Sequence, residues 1–245
     1  MDERRDIYET LLNQKAALEK DCFYFELEYH REFGAQVEEL FQAKVEAVTL
    51  KKKIAYCVKK RYRNEAIYAG ELNRLIDAEI LAYQQKLDDL VAYNAYARNE
   101  TRTIGFEEQR QIRKLYFALA HRVHPDLHPE YSQDEVILAL WNKAVDAYKR
   151  NDYPALCEVN DRIMLLTSEG DIHIERLEEK IEALTKQLEE IRQQEPYTYR
   201  FLLEDREATE HFHEELAKQI QDYQDYVAKL NEELQRFPIV TTSEA

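Results

Sequence analysis

Apolar residues along this chain fall at helical spacing almost throughout. Ile112, Leu115, Tyr116, Leu119 and Val123 recur at i, i+3, i+4, i+7 and i+11, and Ile137, Leu140, Trp141, Ala144 and Tyr148 repeat the same offsets. Each set fills one face of a helix and would sit in water unless another element covers it. Val37, Phe41, Val48, Ala55, Val58 and Tyr62 form a near-heptad stripe, and Leu72, Leu75, Ile76, Tyr83, Leu87 and Leu90 form another. Ile174, Leu177, Ile181, Leu184, Leu188 and Ile191 step alternately by three and four, the seam of a coiled coil. Phe212, Leu216, Tyr223, Val227, Leu230, Leu234 and Phe237 carry helical spacing on towards the end. No convincing period-two alternation appears, so strands are not predicted.

Breakers divide the pattern. The four glycines stand at 34, 70, 105 and 170, and the five prolines at 125, 129, 154, 196 and 238. So few in 245 residues leave long uninterrupted elements. The prediction is an all-α fold of eight segments, roughly 3–33, 35–66, 71–98, 106–124, 133–151, 154–167, 172–194 and 198–236. Three blocks follow: an N-terminal long-helix bundle over 1–100, a central antiparallel helix pair with its following helix over 101–168, and a coiled-coil hairpin over 171–238. A turn at Glu195-Pro196-Tyr197 folds the last segment back on its predecessor, and the longer last helix needs a further partner, either the N-terminal helices or another chain.

Composition narrows the class. Charged residues are 34% and hydrophobic ones 44%, which favours amphipathic helices over disorder. A net charge of −15 argues against nucleic acid as a partner for the chain as a whole. The N-terminal MDERRDIYET is charged and has no apolar core, so no secretory signal is expected. No apolar run is long enough to span a membrane. Cys22, Cys57 and Cys157 are odd in number and widely spaced, which suits a reducing cytoplasm. The basic run at 51–63, KKKIAYCVKKRYR, suggests an anion-binding patch, but cations also suit a helix C-terminus, and the acidic 171–237 region offers an intramolecular partner.

The candidate chemistry lies at residues 124–126. Pro125 disfavours α conformation at His124 and ends the first helix of the central pair there. His124 is then expected near the last carbonyls, and Asp126 follows as an acceptor-only anion. Ser132 and Glu135 have the spacing of a capping box that starts the next helix. Two equal stripes joined by this loop predict an antiparallel pair that displays His124-Pro125-Asp126 on a stiff tip.

The run IRKLYFALAHRVHPDLHPE resembles helix II and the following loop of the J-domain family, the part of DnaJ-type co-chaperones that docks on a DnaK-type ATPase chaperone. Ile112, Tyr116, Leu119-Ala120 and His124-Pro125-Asp126 match the family's offsets, and in WNKAVDAYKRND Trp141 and Ala147-Tyr148 match its helix III. The resemblance covers roughly residues 106–155. It implies a regulator of another protein's ATP hydrolysis, not an enzyme. Asp126 would meet a chaperone arginine, Pro125 would fix the turn and His124 would shape it. Arg110, Arg113, Lys114 and Arg122 are what remains of the family's basic helix II face, since Phe117 and Ala118 occupy its centre. The family's helix I is not recognisable before residue 106, and a preceding helix such as 71–98 is expected to take its packing role.

Other chemistry is sparse. No cofactor motif is present: four scattered glycines build no phosphate-cradling loop. His121, His124 and His128 are broken out of register by Pro125, so no metal site is expected. His211 and His213 are expected at the surface. The alternative to a co-chaperone is a coiled-coil scaffold that binds partners or itself and carries a relic of the J-domain.

Overall fold

The computed structural model describes residues 3–100, 105–167 and 176–240. The fold is all-α. Its helices are α1 (Glu3–Glu32), α2 (Gly34–Tyr62), α3 (Ala69–Asn99), α4 (Phe106–Val123), α5 (Glu135–Lys149), α6 (Tyr153–Leu166), α7 (Leu177–Gln193), α8 (Tyr199–Glu204) and α9 (Arg206–Leu234). A 3₁₀ turn spans Pro129–Gln133. Two strands, β1 (Ile67–Tyr68) and β2 (Ile239–Val240), pair in parallel. At two residues each they are too short to show alternation in the sequence.

Six predicted segments match single helices within a few residues, and the seventh, 172–194, matches α7 at its end. The eighth is cut in two because the Asp205 side chain accepts from the amides of Glu207 and Ala208 and caps a new helix. The capping box at Ser132 and Glu135 does not form. Asp134 is the N-cap of α5, accepting from Val136 and Ile137 at 2.9 and 3.1 Å, while the Ser132 hydroxyl donates to the Pro129 carbonyl. Ile174 and the predicted start at 172 lie outside the described residues.

The chain divides into two compact units, residues 1–26 with 101–200 and residues 27–100 with 201–245. The three consecutive blocks 1–100, 101–168 and 171–238 do not follow this division. Of the segments expected to form the C-terminal hairpin, α7 belongs to the first unit and α9 to the second.

In the second unit α2 and α3 form an antiparallel hairpin, with Gly34 beside Asn94, Lys52 paired to Glu79 and Lys60 to Glu71. α9 runs parallel to α2. Its start packs Leu216 and Ile220 on Phe33 and Leu40, and its end packs Val227, Leu230 and the following Phe237 on Ala47, Leu50, Ile54 and Cys57. The overhang foreseen for the last helix thus finds α2 along its whole length. His213 is not a plain surface residue, for its ring meets Gln36 and Glu32; His211 is exposed. The basic run ends α2 as a helix C-terminus favours, and among the described residues Lys52 pairs with Glu79 and Lys60 with Glu65 and Glu71, which follow closely in sequence, while Arg61 lies over the Phe237 ring.

In the first unit α4, α5 and α6 share one core. Ile112, Tyr116, Leu119 and Val123 of α4 meet Ile137, Leu140, Trp141, Ala144 and Tyr148 of α5 and Leu156, Val159 and Ile163 of α6. Tyr116 stacks on Tyr148 at 4.0 Å, while His124, at the end of α4, meets Trp141 nearer the start of α5, so the two helices run antiparallel, side by side. Burying each large apolar side chain here is worth roughly 1.5–3 kcal/mol. The packing role expected of segment 71–98 falls to α1 instead; α3 lies in the other unit. Glu9 of α1 stands at His121, near the end of α4, and Asp21 shares a hollow with Arg113, nearer its start, so α1 runs antiparallel to α4. α7 runs parallel to α1, joined by Arg4–Glu178 and Lys15–Gln187.

Candidate partner-docking site

Local geometry at the end of α4 follows from Pro125. His124 takes extended angles, φ −56° and ψ 126°, while its amide still donates to the Ala120 carbonyl at 3.0 Å. The His124 carbonyl then accepts from Leu127 and His128 at 2.9 and 2.8 Å, closing a compact turn. Within it the Asp126 amide donates to His124 Nδ1 at 3.1 Å. That bond requires Nδ1 without a proton, so the neutral ring carries its hydrogen on Nε2. The ring edge rests on Trp141 at 4.9 Å. Burial pushes the imidazole down to about 4; Asp126 opposes the shift, and Lys15 and His128 add to it.

The tip is only in part open. Asp126 is exposed and Pro125 half-buried. Leu127 is 1% exposed and packs with Tyr8 and Leu12 of α1 and Leu184 of α7. Tyr8 is itself buried, and its hydroxyl is pushed up to about 12, first by burial and then by the charge and hydrogen bond of Asp126. The imidazole expected at the last carbonyls of α4 is supplied by His128, not His124: its Nε2 donates to the His121 carbonyl at 2.8 Å, and its Nδ1 lies 3.1 Å from Glu130.

Arg110, Arg113 and Lys114 are exposed. Arg110 and Arg113 line a hollow with Ala17, Lys20, Asp21 and Tyr24 of α1, and Arg113 lies over the Phe117 ring at 5.3 Å. Arg122 is half-buried and donates to the Thr167 hydroxyl at 3.4 Å. Arg110 is fourteen residues before His124, about 21 Å along the helix.

In the hollow Lys20 is 6% exposed, donates to the Asn151 side chain and sits 4.2 Å over the Tyr148 ring. Burial lowers its ammonium to about 8; Asp21 counteracts this and Arg113 reinforces it. Tyr24 also meets Asn151, so α1 is anchored to the end of α5 through one buried amide. Among the described residues no three His, Cys, Asp or Glu side chains are grouped to hold a metal ion.

Sequence reasoning missed Tyr8, Lys15, Leu127 and Trp141 as neighbours of the tripeptide. A signal existed for two of them: Tyr8 and Leu12 are an i, i+4 apolar pair, and Leu127 is an apolar residue between polar ones. Comparison with protein-family models, with curated proteins and with solved structures returned no match.

Proposed function

We propose that this chain is a J-domain-like co-chaperone that binds a DnaK-type chaperone through His124-Pro125-Asp126 and stimulates its ATP hydrolysis. The reading is supported above all by one observation: an exposed carboxylate, Asp126, held in a turn fixed by Pro125 and the His124 ring, between two antiparallel helices of matched stripe. Asp126 pairs with a chaperone arginine, and Lys114 adds an electrostatic contact. The long helices outside α4–α6 select a client or an assembly in the cytoplasm. No helix among the described residues is long and apolar enough to cross a membrane.

The test is single-turnover ATP hydrolysis by DnaK with and without the protein. Stimulation is expected, and Asp126→Asn or His124→Gln should cut it about tenfold or more, the scale of losing a charge-assisted contact. Equal rates with wild type, variant and buffer would refute the proposal.

A second reading, a coiled-coil scaffold with a relic of the J-domain, is favoured by the carboxylate of Asp21, which shares a hollow with Arg110 and Arg113 and offsets their charge within the chain. It requires self-association or stable partners. Sedimentation as a lone monomer, together with Asp126-dependent stimulation, decides against it.

A further inference from the structure

The groups that α1 turns towards the central helices complement those they meet. Tyr8 packs on Leu127 beside the tip, where the Asp126 charge adds to burial in raising its hydroxyl. Glu9 brings a carboxylate to His121 at 2.9 Å. Asp21 brings another to the hollow that holds Arg110 and Arg113. Tyr8 and Leu12 supply the apolar cover for Leu127. These are the residues that the J-domain resemblance would give to a partner, or their immediate neighbours.

The cover is also separable from what it covers. The buried members of the main core come entirely from α4, α5 and α6, and α1 adds only the partly buried Ala16. Tyr8, Leu12, Leu127 and Leu184 form a small cluster of their own. The bonds that pin the segment are on exposed or half-buried side chains near the surface: Glu9 to His121, Lys15 to Gln187, Arg4 to Glu178. Such bonds are worth little individually. The firm anchor lies further along, where Lys20 and Tyr24 reach the buried Asn151. Lifting residues 4–16 therefore removes no buried residue from the main core, whereas lifting residues 20–24 would strip a buried polar network of its partners.

We infer that residues 4–16 of α1 are a displaceable cover, and that the face beneath it docks a partner surface of the same chemistry. That surface is acidic towards His121 and presents aliphatic groups to Leu127. α1 and the partner compete for one site, so the fraction of uncovered molecules sets the apparent affinity. The identity of the partner as a DnaK-type chaperone rests on the function proposed above; the cover itself does not.

Two measurements on the intact chain test this, with Tyr8→Phe/Glu9→Gln as the loosened variant. The first is amide hydrogen exchange in the free protein. Residues 4–16 should open apart from α4 and α5, and the variant should speed their exchange about tenfold, the worth of a hydrogen bond to a charged group, while α4 and α5 keep their protection. Exchange of α1, α4 and α5 in step in both proteins overturns the cover. The second is the concentration of protein that half-saturates DnaK stimulation, which should fall about fivefold or more in the variant. Asp126-dependent stimulation with an unmoved half-saturation point overturns the competition and leaves the co-chaperone reading standing. Absence of stimulation in wild type and variant alike overturns the co-chaperone reading, and the exchange result then decides the cover alone.

Discussion

A neutral imidazole at position 124 holds the tip together, because Nδ1 can accept the Asp126 amide only while it lacks a proton. Its proton affinity is depressed from the ordinary 6.5 to about 4 in the folded chain. The unfolded chain therefore binds a proton between those limits that the folded chain refuses, and stability is full above pH 6.5 and falls as pH drops towards 4. The ceiling of the loss is about 3 kcal/mol. Asp21, whose carboxyl is raised by burial, works in the opposite sense on the acid side, and Lys20 titrates near 8, outside the window. Urea unfolding of wild type and His124→Gln between pH 7 and 4 isolates the effect: the two curves should converge as pH falls. Parallel curves would mean that the ring titrates alike in both states. A second residue-scale constraint lies in the other unit. Asn94 is fully buried, donates to the Gly34 carbonyl at 2.8 Å and meets His30 Nδ1 at 2.7 Å. A Cβ on Gly34 would stand 2.6 Å from Asn94 Oδ1. Gly34→Ala should destabilise by about 1–3 kcal/mol through crowding, and Asn94→Leu by about 1–3 kcal/mol through the His30 ring donor left without its acceptor. Equilibrium denaturation of the two variants gives both values.

At the scale of elements, helix positions were readable in the sequence, as was the pairing of α4 with α5 across a short loop, and partners distant in the chain were not. Period, glycines and prolines place each segment, since these act within a few residues. Choice of partner depends on residues far apart in the chain. The stripe from Phe212 to Phe237 states that α9 needs an apolar mate, but α7 and α2 both offer one, and α2 is longer and matches α9 from Leu216 to Phe237. Tyr8 and Asp126 are separated by 118 positions, and nothing local connects them. The cap of α5 is a finer case. Ser132 with Glu135 has box spacing, yet the 3₁₀ turn at Pro129–Gln133 occupies Ser132 by drawing its hydroxyl to the Pro129 carbonyl, and Asp134 is left to take the free amides. Asp134→Ala should therefore cost about 1 kcal/mol of stability, while Ser132→Ala stays within about 0.5 kcal/mol. The reverse order in thermal denaturation would restore Ser132 as the cap.

On the scale of the whole molecule, the division into units cannot be drawn as cuts between consecutive blocks, because α1 gives residues up to Glu26 to one and from Leu27 to the other. Each unit nonetheless has buried clusters of its own, and the single tryptophan of the chain, Trp141, lies in the core of the first, stacked on Tyr116 and edged by His124. Its emission therefore reports the first unit, whereas far-UV circular dichroism sums the helices of both. Ile112 and Leu216 are buried to similar degrees in the two. Truncating either to alanine should remove about 2–5 kcal/mol from the core that holds it. Ile112→Ala is expected to lower the midpoint of the Trp141 emission change in urea. Leu216→Ala should leave that midpoint in place and advance only part of the circular dichroism change. Should Leu216→Ala displace the emission midpoint as far as Ile112→Ala does, the two cores unfold as one cooperative body, and loosening at the Tyr8–Asp126 contact would have to be reckoned against the stability of the entire chain.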